Sequence, residues 1–500
     1  MLLEITQPPP AEQTLFARIV HRASQLRRSS LISGFLLLAG GSLAGGAVTI
    51  LSTPVISRLY PPAALGTFAV YAAALSLLTI AGSFRYELAI PIAETDEVAA
   101  NLVAASAGLI LLNVLALMGL VALAPRSLLN LLHSPGLVPY LWLIPAGFLF
   151  TSLYQITSSW AIRKEAYRHI ARTRISQSVG LSVAQMSIGV LARSAWGLFI
   201  GDVIGRAGGS YVMFRHLAAT WPRGDPVTLK RAWSAMRRYA RFPLLSAVAA
   251  VFSTAGSQLP VLLLARFFGV EAAGLYALSS RVLLMPSSLL GAALGQAFLG
   301  RAAYLRTNRD ELRRVTEGIA VGTFAWGFPV FAFVAVEGPH LFAQVFGQRW
   351  LVGGVYAQRL APWFLLWLVS APLSQLLTVR EWQGTTLLYA VLECVVTLCA
   401  LFVGVRLKSA QAGVTALSIA GFTLAVFTTG RYLHAGYSNW TRVVLQAAPF
   451  VACAIAAFAF VSPVARSSSL FGLGVWFALF CLCYGVLVWC FRMYGGGLFQ

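Results

Sequence analysis

The sequence predicts an all-α integral membrane protein of about 14 transmembrane helices, and three observations carry that prediction. First, apolar stretches of spanning length follow one another at roughly 31–56, 66–86, 98–123, 137–162, 175–193, 195–214, 242–265, 271–299, 315–336, 358–379, 384–405, 411–430, 443–463 and 470–491. Second, hydrophobic residues make up 58% of the 500. A helix needs about 20 apolar residues to cross the hydrocarbon core, so these spans leave almost nothing apolar for a soluble domain. Third, Lys and Arg fall in alternate gaps: with Arg85, Arg193 and Arg359 at span ends counted in the adjoining gaps, the leading tail, the even-numbered gaps and the C-terminal tail hold 26 of the 37, while the odd-numbered gaps hold 9. Cytoplasmic loops keep the excess of Lys and Arg, so both termini are expected in the cytoplasm. Uninterrupted runs such as Ala104 to Ala124 argue against a barrel, whose strands alternate over about ten residues.

Read in order, residues 1–30 form a short cytoplasmic tail, with a proline run from Pro8 to Pro10 and an Arg-bearing segment from Arg18 to Arg28. The apolar run that follows is too long for a secretory signal and reads as a first span. Residues 31–214 give six spans. Residues 215–241, with seven basic residues and Pro222, Gly224 and Pro226, read as a basic cytoplasmic linker. Residues 242–430 give six more spans, and 431–500 two additional helices and a C-terminal tail. Several spans carry proline at depth, at Pro145, Pro260, Pro286, Pro329, Pro362 and Pro372. Membrane helices tolerate proline where neighbours or cavity water satisfy the freed carbonyls.

The first and seventh spans end alike. Arg58-Leu-Tyr-Pro-Pro-Ala-Ala-Leu-Gly66-Thr-Phe-Ala-Val matches Arg266-Phe-Phe-Gly-Val-Glu-Ala-Ala-Gly274-Leu-Tyr-Ala-Leu in the spacing of Arg to Gly and in the aromatic residues after each. Pro54 and Pro260 precede the two copies. An interval of six helices gives both copies the same orientation, so the repeat is parallel, a design that places a cleft between two bundles.

The formal net charge of +21 does not point to nucleic acid. The basic residues are split among short gaps at membrane ends, where they suit anionic membrane lipids, and no nucleic-acid-binding pattern accompanies them. The six cysteines sit in late spans and fit no zinc spacing, so they read as soft apolar filling. No phosphate-binding loop or Ser/His/Asp arrangement can be placed; the histidines lie mainly in gaps, and His21, His169 and His216 beside Arg clusters suit headgroup contact. The longest extracytoplasmic gap is about twenty residues near 337–357, with Glu337 its one acid, too small to hold an acceptor for a membrane enzyme. The chain is not expected to be an enzyme, and no cofactor or metal site is expected.

Charges at depth each need an account, because one near the bilayer centre costs roughly 2.5–3.5 kcal/mol on insertion scales. Arg281 lies mid-way along the eighth span with no acid at helical spacing, on a stripe with Ser288, Ala292, Gly295 and Gln296. Either it lines a cavity and binds an anion with paired oxygens, which suits a guanidinium fork, or it pairs with a carboxylate on another helix such as Glu393. Arg206 has Asp202 four residues before it, the spacing of an intrahelical pair. Glu393, mid-way along the eleventh span, has three readings: a protonated inert group, a partner of Arg281, or a coupling carboxylate. Arg85 and Glu87 close the second span and, two apart, would not face each other on a helix, so each is expected to meet another helix or a headgroup.

The segment Pro54-Val-Ile-Ser-Arg58-Leu-Tyr, then Gly66, then Arg85-Tyr-Glu87-Leu-Ala-Ile90, resembles the polysaccharide-transporter (Wzx-type) flippases of the multidrug/oligosaccharidyl-lipid/polysaccharide exporter superfamily. The match is best over 31–165 and 242–300; the last third adds only the span count and Arg380-Glu381-Trp-Gln383. The resemblance implies a MATE-like pair of six-helix bundles plus two C-terminal helices in the bacterial inner membrane. It implies flipping of polyprenyl-diphosphate-linked oligosaccharide repeat units for O-antigen, capsule or exopolysaccharide assembly, with a polymerase and a chain-length regulator as pathway partners. Related flippases have a cationic cleft, and Arg281 matches by span and depth. The first span lacks the basic residues often found there, so Arg85 or Arg206 is expected to supply the rest, with Ser288 and Gln296 as polar lining. Glu393, Glu87 or Asp202 is expected to couple export to a proton or sodium gradient. The rival readings are a drug exporter of the same architecture, which should prefer acids in its cleft, and, less well supported, a membrane glycan polymerase.

Overall fold

The computed structural model describes residues 30–125, 134–192, 194–222, 227–240, 243, 246–461 and 470–494. Fourteen long helices stand among the described residues, one for each span expected from the sequence: α1 Ser30–Leu59, α2 Pro62–Gly82, α3 Asp96–Leu123, α4 Leu143–Arg163, α5 Tyr167–Ala192, α6 Trp196–Ala219, α7 Ala247–Phe268, α8 Val270–Tyr304, α9 Arg309–Phe346, α10 Leu351–Leu373, α11 Gln383–Arg406, α12 Ala410–Ala435, α13 Trp440–Val461 and α14 Leu470–Tyr494. No strand occurs among those residues. A helix satisfies its own backbone polar groups, which is what lets a single segment cross lipid. Among the described residues, ten stretches, each within or built on one of these helices, are long and apolar enough to cross a membrane. Asp202 and Arg206 lie on α6 and Arg281 on α8. The chain is a multi-pass membrane protein.

Helix ends are set by local chemistry. Thr95, Asn308 and Ser409 accept from the amides of Val98, Glu311 and Ala412 at 3.3, 3.2 and 3.2 Å, capping α3, α9 and α12. Asp96 and Glu97, then Asp310 and Glu311, fill the first turns of α3 and α9, where negative charge offsets the helix dipole.

The pairing of helices is the same in two sets. In the first, α1 packs on α5, α5 on α6, α6 on α4, and α4 on both α2 and α3. In the second, α7 packs on α11, α11 on α12, α12 on α10, and α10 on both α8 and α9. Helices α13 and α14 pack on each other and on α9. Glu317 of α9 receives hydrogen bonds from Ser438 at 2.8 Å and Gln446 at 3.2 Å, and Tyr484 donates to the Ala325 carbonyl at 2.8 Å. These buried polar contacts fix the added pair in register on α9.

The two sets touch most closely where the α1–α2 and α7–α8 turns meet, here called the turn end; the opposite side, which carries the described residues 227–240, is the linker end. At the turn end α2 crosses α8 with backbone against backbone. A Cβ on Gly66 would overlap the Val270 carbonyl, and one on Gly274 would overlap the Pro62 carbonyl. These are the two glycines of the repeated motif, and each copy makes room for the other. Trp350 Nε1 donates to the Ser57 carbonyl at 2.9 Å, the Ser57 hydroxyl to the Phe346 carbonyl at 3.3 Å, and Arg58 to the Gln344 carbonyl at 3.0 Å.

One expectation is corrected here. The gap near 337–357 is not a loop of about twenty residues. Helix α9 continues through Pro339 to Phe346, and α10 starts at Leu351. Gly347, at φ 105, turns the chain between them. The stretch reads as polar because Glu337 and His340 sit on the helix surface, 3.2 Å apart.

Replacing Gly66 or Gly274 by leucine is expected to part α2 from α8 at the turn end. In a cysteine-free background, a cysteine at the buried Ser57 should then react with a water-soluble maleimide at least tenfold faster. An unchanged rate would mean that the glycine contact does not hold this end shut.

Candidate functional site

Between the two sets of helices lies a cavity of about 700 Å³. Polar groups reach it from five helices: Thr49 and Thr53 from α1, Ser178 from α5, Ser257 and Gln258 from α7, Ser280 and Arg281 from α8, and Glu393 from α11. The rest of the wall is mainly apolar, with Phe68, Tyr276 and Phe364 among it. The threonines sit on a helix by returning their hydroxyls to Gly45 and Thr49 carbonyls at 3.0 and 2.8 Å. Their oxygens still have lone pairs to offer.

Arg281 is placed by the length of α8, 35 residues from Val270 to Tyr304. It lies eleven residues from the first, about 16 Å along the axis, well below the turn end. Its side chain is exposed, but to the cavity rather than to the outside of the molecule. Among the described residues it has neither an ion pair nor a hydrogen bond. Glu393 lines the same cavity and likewise has no ion pair among those residues. The two charges therefore share a chamber without neutralising each other, and the ion pair weighed from the sequence is absent. A lone guanidinium in a low-dielectric chamber is a strong attractor for an anion.

A second cavity of about 820 Å³ adjoins the first at Trp363, Trp367 and Glu393. It runs toward the linker end among α7, α10, α11 and α12, and Arg85 lies on its wall. Arg85 and Glu87 also correct an expectation, because they pair with each other at 3.3 Å. The segment is not α-helical. Phe84 and Arg85 take left-handed backbone angles, φ 49 and 67, and Tyr86–Leu88 is a single 3₁₀ turn. That kink folds two residues, two apart, toward one another. Glu87 is buried and also accepts from the Ser83 hydroxyl.

The other expected residues lie elsewhere. Arg206 and Asp202 form the intrahelical pair at 2.7 Å inside the first set of helices, away from both cavities. Arg206 also donates to Thr151 at 2.7 Å, and Tyr71 donates to Asp202 at 3.3 Å. Gln296 is exposed about 22 Å further along α8 than Arg281 and lines neither cavity. The side chain of Ser288 lies outside the described residues, as do His21, Cys490 and part of the linker, including Gly224 and Pro226. The other five cysteines are free thiols. His169 and His216 stack on each other at 4.6 Å, with His216 Nε2 buried, rather than both reaching a headgroup.

Sequence reasoning passes over Trp363 and Trp367. They are four apart and so share a helix face, and Trp363 follows directly on Pro362. That spacing is the signal that finds them, because large amphipathic rings on one face of a span with prolines suit a cavity wall.

A family profile described as polysaccharide biosynthesis protein matches residues 55–353. No curated protein matches the sequence. Among solved structures, the lipid II flippase MurJ in an inward closed conformation superposes with a TM-score of 0.74, at 12% identity, over 92% of this chain and 99% of that one. An inward-facing multidrug resistance MATE family transporter of the MOP superfamily gives 0.58 at 14% identity, over 82% of this chain and 95% of that one. A MOP superfamily transporter from Pyrococcus furiosus, whose binding pocket is described as of reverse polarity, gives 0.56 at 16%, over 84% and 97%. The fold is that of these transporters.

Asp202→Asn is expected to lower stability by about 1–3 kcal/mol, since it leaves the half-buried Arg206 with Thr151 alone. Thermal unfolding in detergent reads this; Tyr71→Phe should cost less. An unchanged midpoint for Asp202→Asn would show that the pair adds nothing to the fold.

Proposed function

The chain belongs to the polysaccharide biosynthesis protein family, and we propose that it is a flippase for polyprenyl-diphosphate-linked oligosaccharide repeat units. The solved structures that share its fold are membrane transporters rather than catalytic enzymes. The observation that carries the reading is Arg281, an unpaired guanidinium in a chamber between two matching sets of helices. A diphosphate offers paired oxygens that fit a guanidinium fork. The lipid tail stays in the bilayer and the sugars follow the headgroup through the chamber.

The lysine and arginine asymmetry supports a bacterial inner-membrane protein with its termini, and so the linker end, in the cytoplasm. The turn end then faces the periplasm, and the closed α2–α8 contact corresponds to a state sealed on that side. Rocking of the two sets about this contact moves the chamber's opening from one face to the other. The product feeds assembly of a surface or exported polysaccharide, with a polymerase and a chain-length regulator as its neighbours in that pathway. Glu393, shared by both cavities, and Glu87, beside Arg85, are the acids through which a proton or sodium gradient is coupled; Asp202 is committed to Arg206.

The test uses proteoliposomes loaded with lipid-linked oligosaccharide extracted from cells that lack the protein. Arg281→Ala should slow flipping at least about tenfold, as losing a charge-assisted contact of ~1.5 kcal/mol or more requires, and Arg281→Lys should restore part of it. A correctly inserted Arg281→Ala that flips at the normal rate would sink the proposal. In the same vesicles, Glu393→Gln or Glu87→Gln should abolish the stimulation given by an imposed proton or sodium gradient; full stimulation in both variants would remove these acids from coupling.

A further inference from the structure

We infer that the second cavity is the seat of the sugar units, with Trp363 and Trp367 as its stacking platform. This rests on the flippase reading and divides the cargo between two chambers. The cavity of about 820 Å³ falls within the range of about 300–1,000 Å³ typical of small-molecule sites. Four aromatic side chains stand on its wall: Trp363 and Trp367 of α10, Tyr389 of α11 and Tyr432 of α12. A pyranose ring has an apolar C–H face and a rim of hydroxyls. An aromatic face covers the first, and neutral acceptors and donors take the second.

The platform is built rather than incidental. A Cβ on Gly421 would lie 2.6 Å from one ring carbon of Trp363 and 2.8 Å from another. The indole thus rests against the α12 backbone, and a side chain at 421 would push it out. Trp367, one turn further, is 39% exposed although it stands on the cavity wall. Tyr389 and Tyr432 meet edge to face at 6.0 Å and stand across the same space. The rim chemistry is present too. Ser370 and Thr428 donate to carbonyls of their own helices, which leaves their oxygens free to accept.

The charge pattern separates this chamber from the first. Among the described residues Arg85 is its one cationic lining residue, and that guanidinium is already paired with Glu87. A diphosphate finds its free guanidinium in the first cavity, a neutral polyol finds its partners in the second, and Trp363, Trp367 and Glu393 form the wall between them.

Binding to purified wild-type protein, Trp367→Leu, Trp367→Tyr, Arg281→Gln and Glu393→Gln tests this with three probes, beside the intact lipid-linked molecule. They are the free oligosaccharide released by mild acid from the lipid-linked molecule, inorganic diphosphate, and tetraethylammonium. Trp367→Leu should weaken the oligosaccharide at least tenfold and change diphosphate less than twofold, with Trp367→Tyr restoring oligosaccharide to within threefold. Arg281→Gln should do the reverse. Oligosaccharide affinity that survives Trp367→Leu, or its absence from the wild type, overturns the inference. So does tetraethylammonium binding that Trp367→Leu and Glu393→Gln both remove, which would make the chamber an organic-cation site. If the intact lipid-linked molecule still binds in any of these cases, the flippase reading stands without the sugar chamber. If it does not bind the wild type, both fall.

Discussion

The contact on which the rest depends is the crossing of α2 and α8 at Gly66 and Gly274. Two hydrogens, where any other residue would carry a side chain, let the helices touch through their backbones. Close approach of this kind is the usual means of joining helices in lipid, where no hydrophobic effect drives them together. Because the crossing lies at one end, the sets diverge below it, and the divergence is the first cavity. A repeated motif thus serves twice: each copy shapes its own turn, and the two copies close on one another.

The depth of the cavity then makes its charges matter. Elsewhere among the described residues the buried charged groups are paired or hydrogen-bonded. Asp202 holds Arg206, Glu87 holds Arg85, and Glu317 is met by Ser438 and Gln446. Among those residues Arg281 and Glu393 are the exceptions, and they face open space. An uncompensated charge is costly, and a fold that keeps one at the centre of a chamber gains from it only when a ligand completes it. The second cavity is complementary, since its aromatic and hydroxyl wall suits a neutral partner, and the two meet at Glu393.

Much of this is legible in the sequence. The fourteen helices are, because a bilayer demands long apolar runs and the runs are separated by polar gaps. Arg281 is, because a charge within such a run stands out. The Arg206–Asp202 pair is, because it is local, four residues apart on one helix. What needs long-range contact or unusual backbone stays hidden. The motif glycines are visible as a repeat, yet nothing in the letters says that they touch. The Arg85–Glu87 pair depends on a left-handed kink that helical spacing argues against. Gln296 shares a stripe with Arg281, but α8 is long enough to carry the two about 22 Å apart. The continuation of α9 to Phe346 is masked by Glu337, His340 and Pro339, which read as a loop although the helix accommodates all three. Trp363 and Trp367 look like ordinary apolar filling until the cavities are seen to share them.

The central claim is that cargo crosses the bilayer through this chamber, and the most direct measurement is the leaflet occupied by lipid-linked oligosaccharide in cells that lack the protein. Access by a lectin or a periplasmic enzyme reports the side. Oligosaccharide trapped on the cytoplasmic leaflet, and moved to the outer one when the protein is restored, is the result the account predicts. Oligosaccharide already on the outer leaflet without the protein would contradict it.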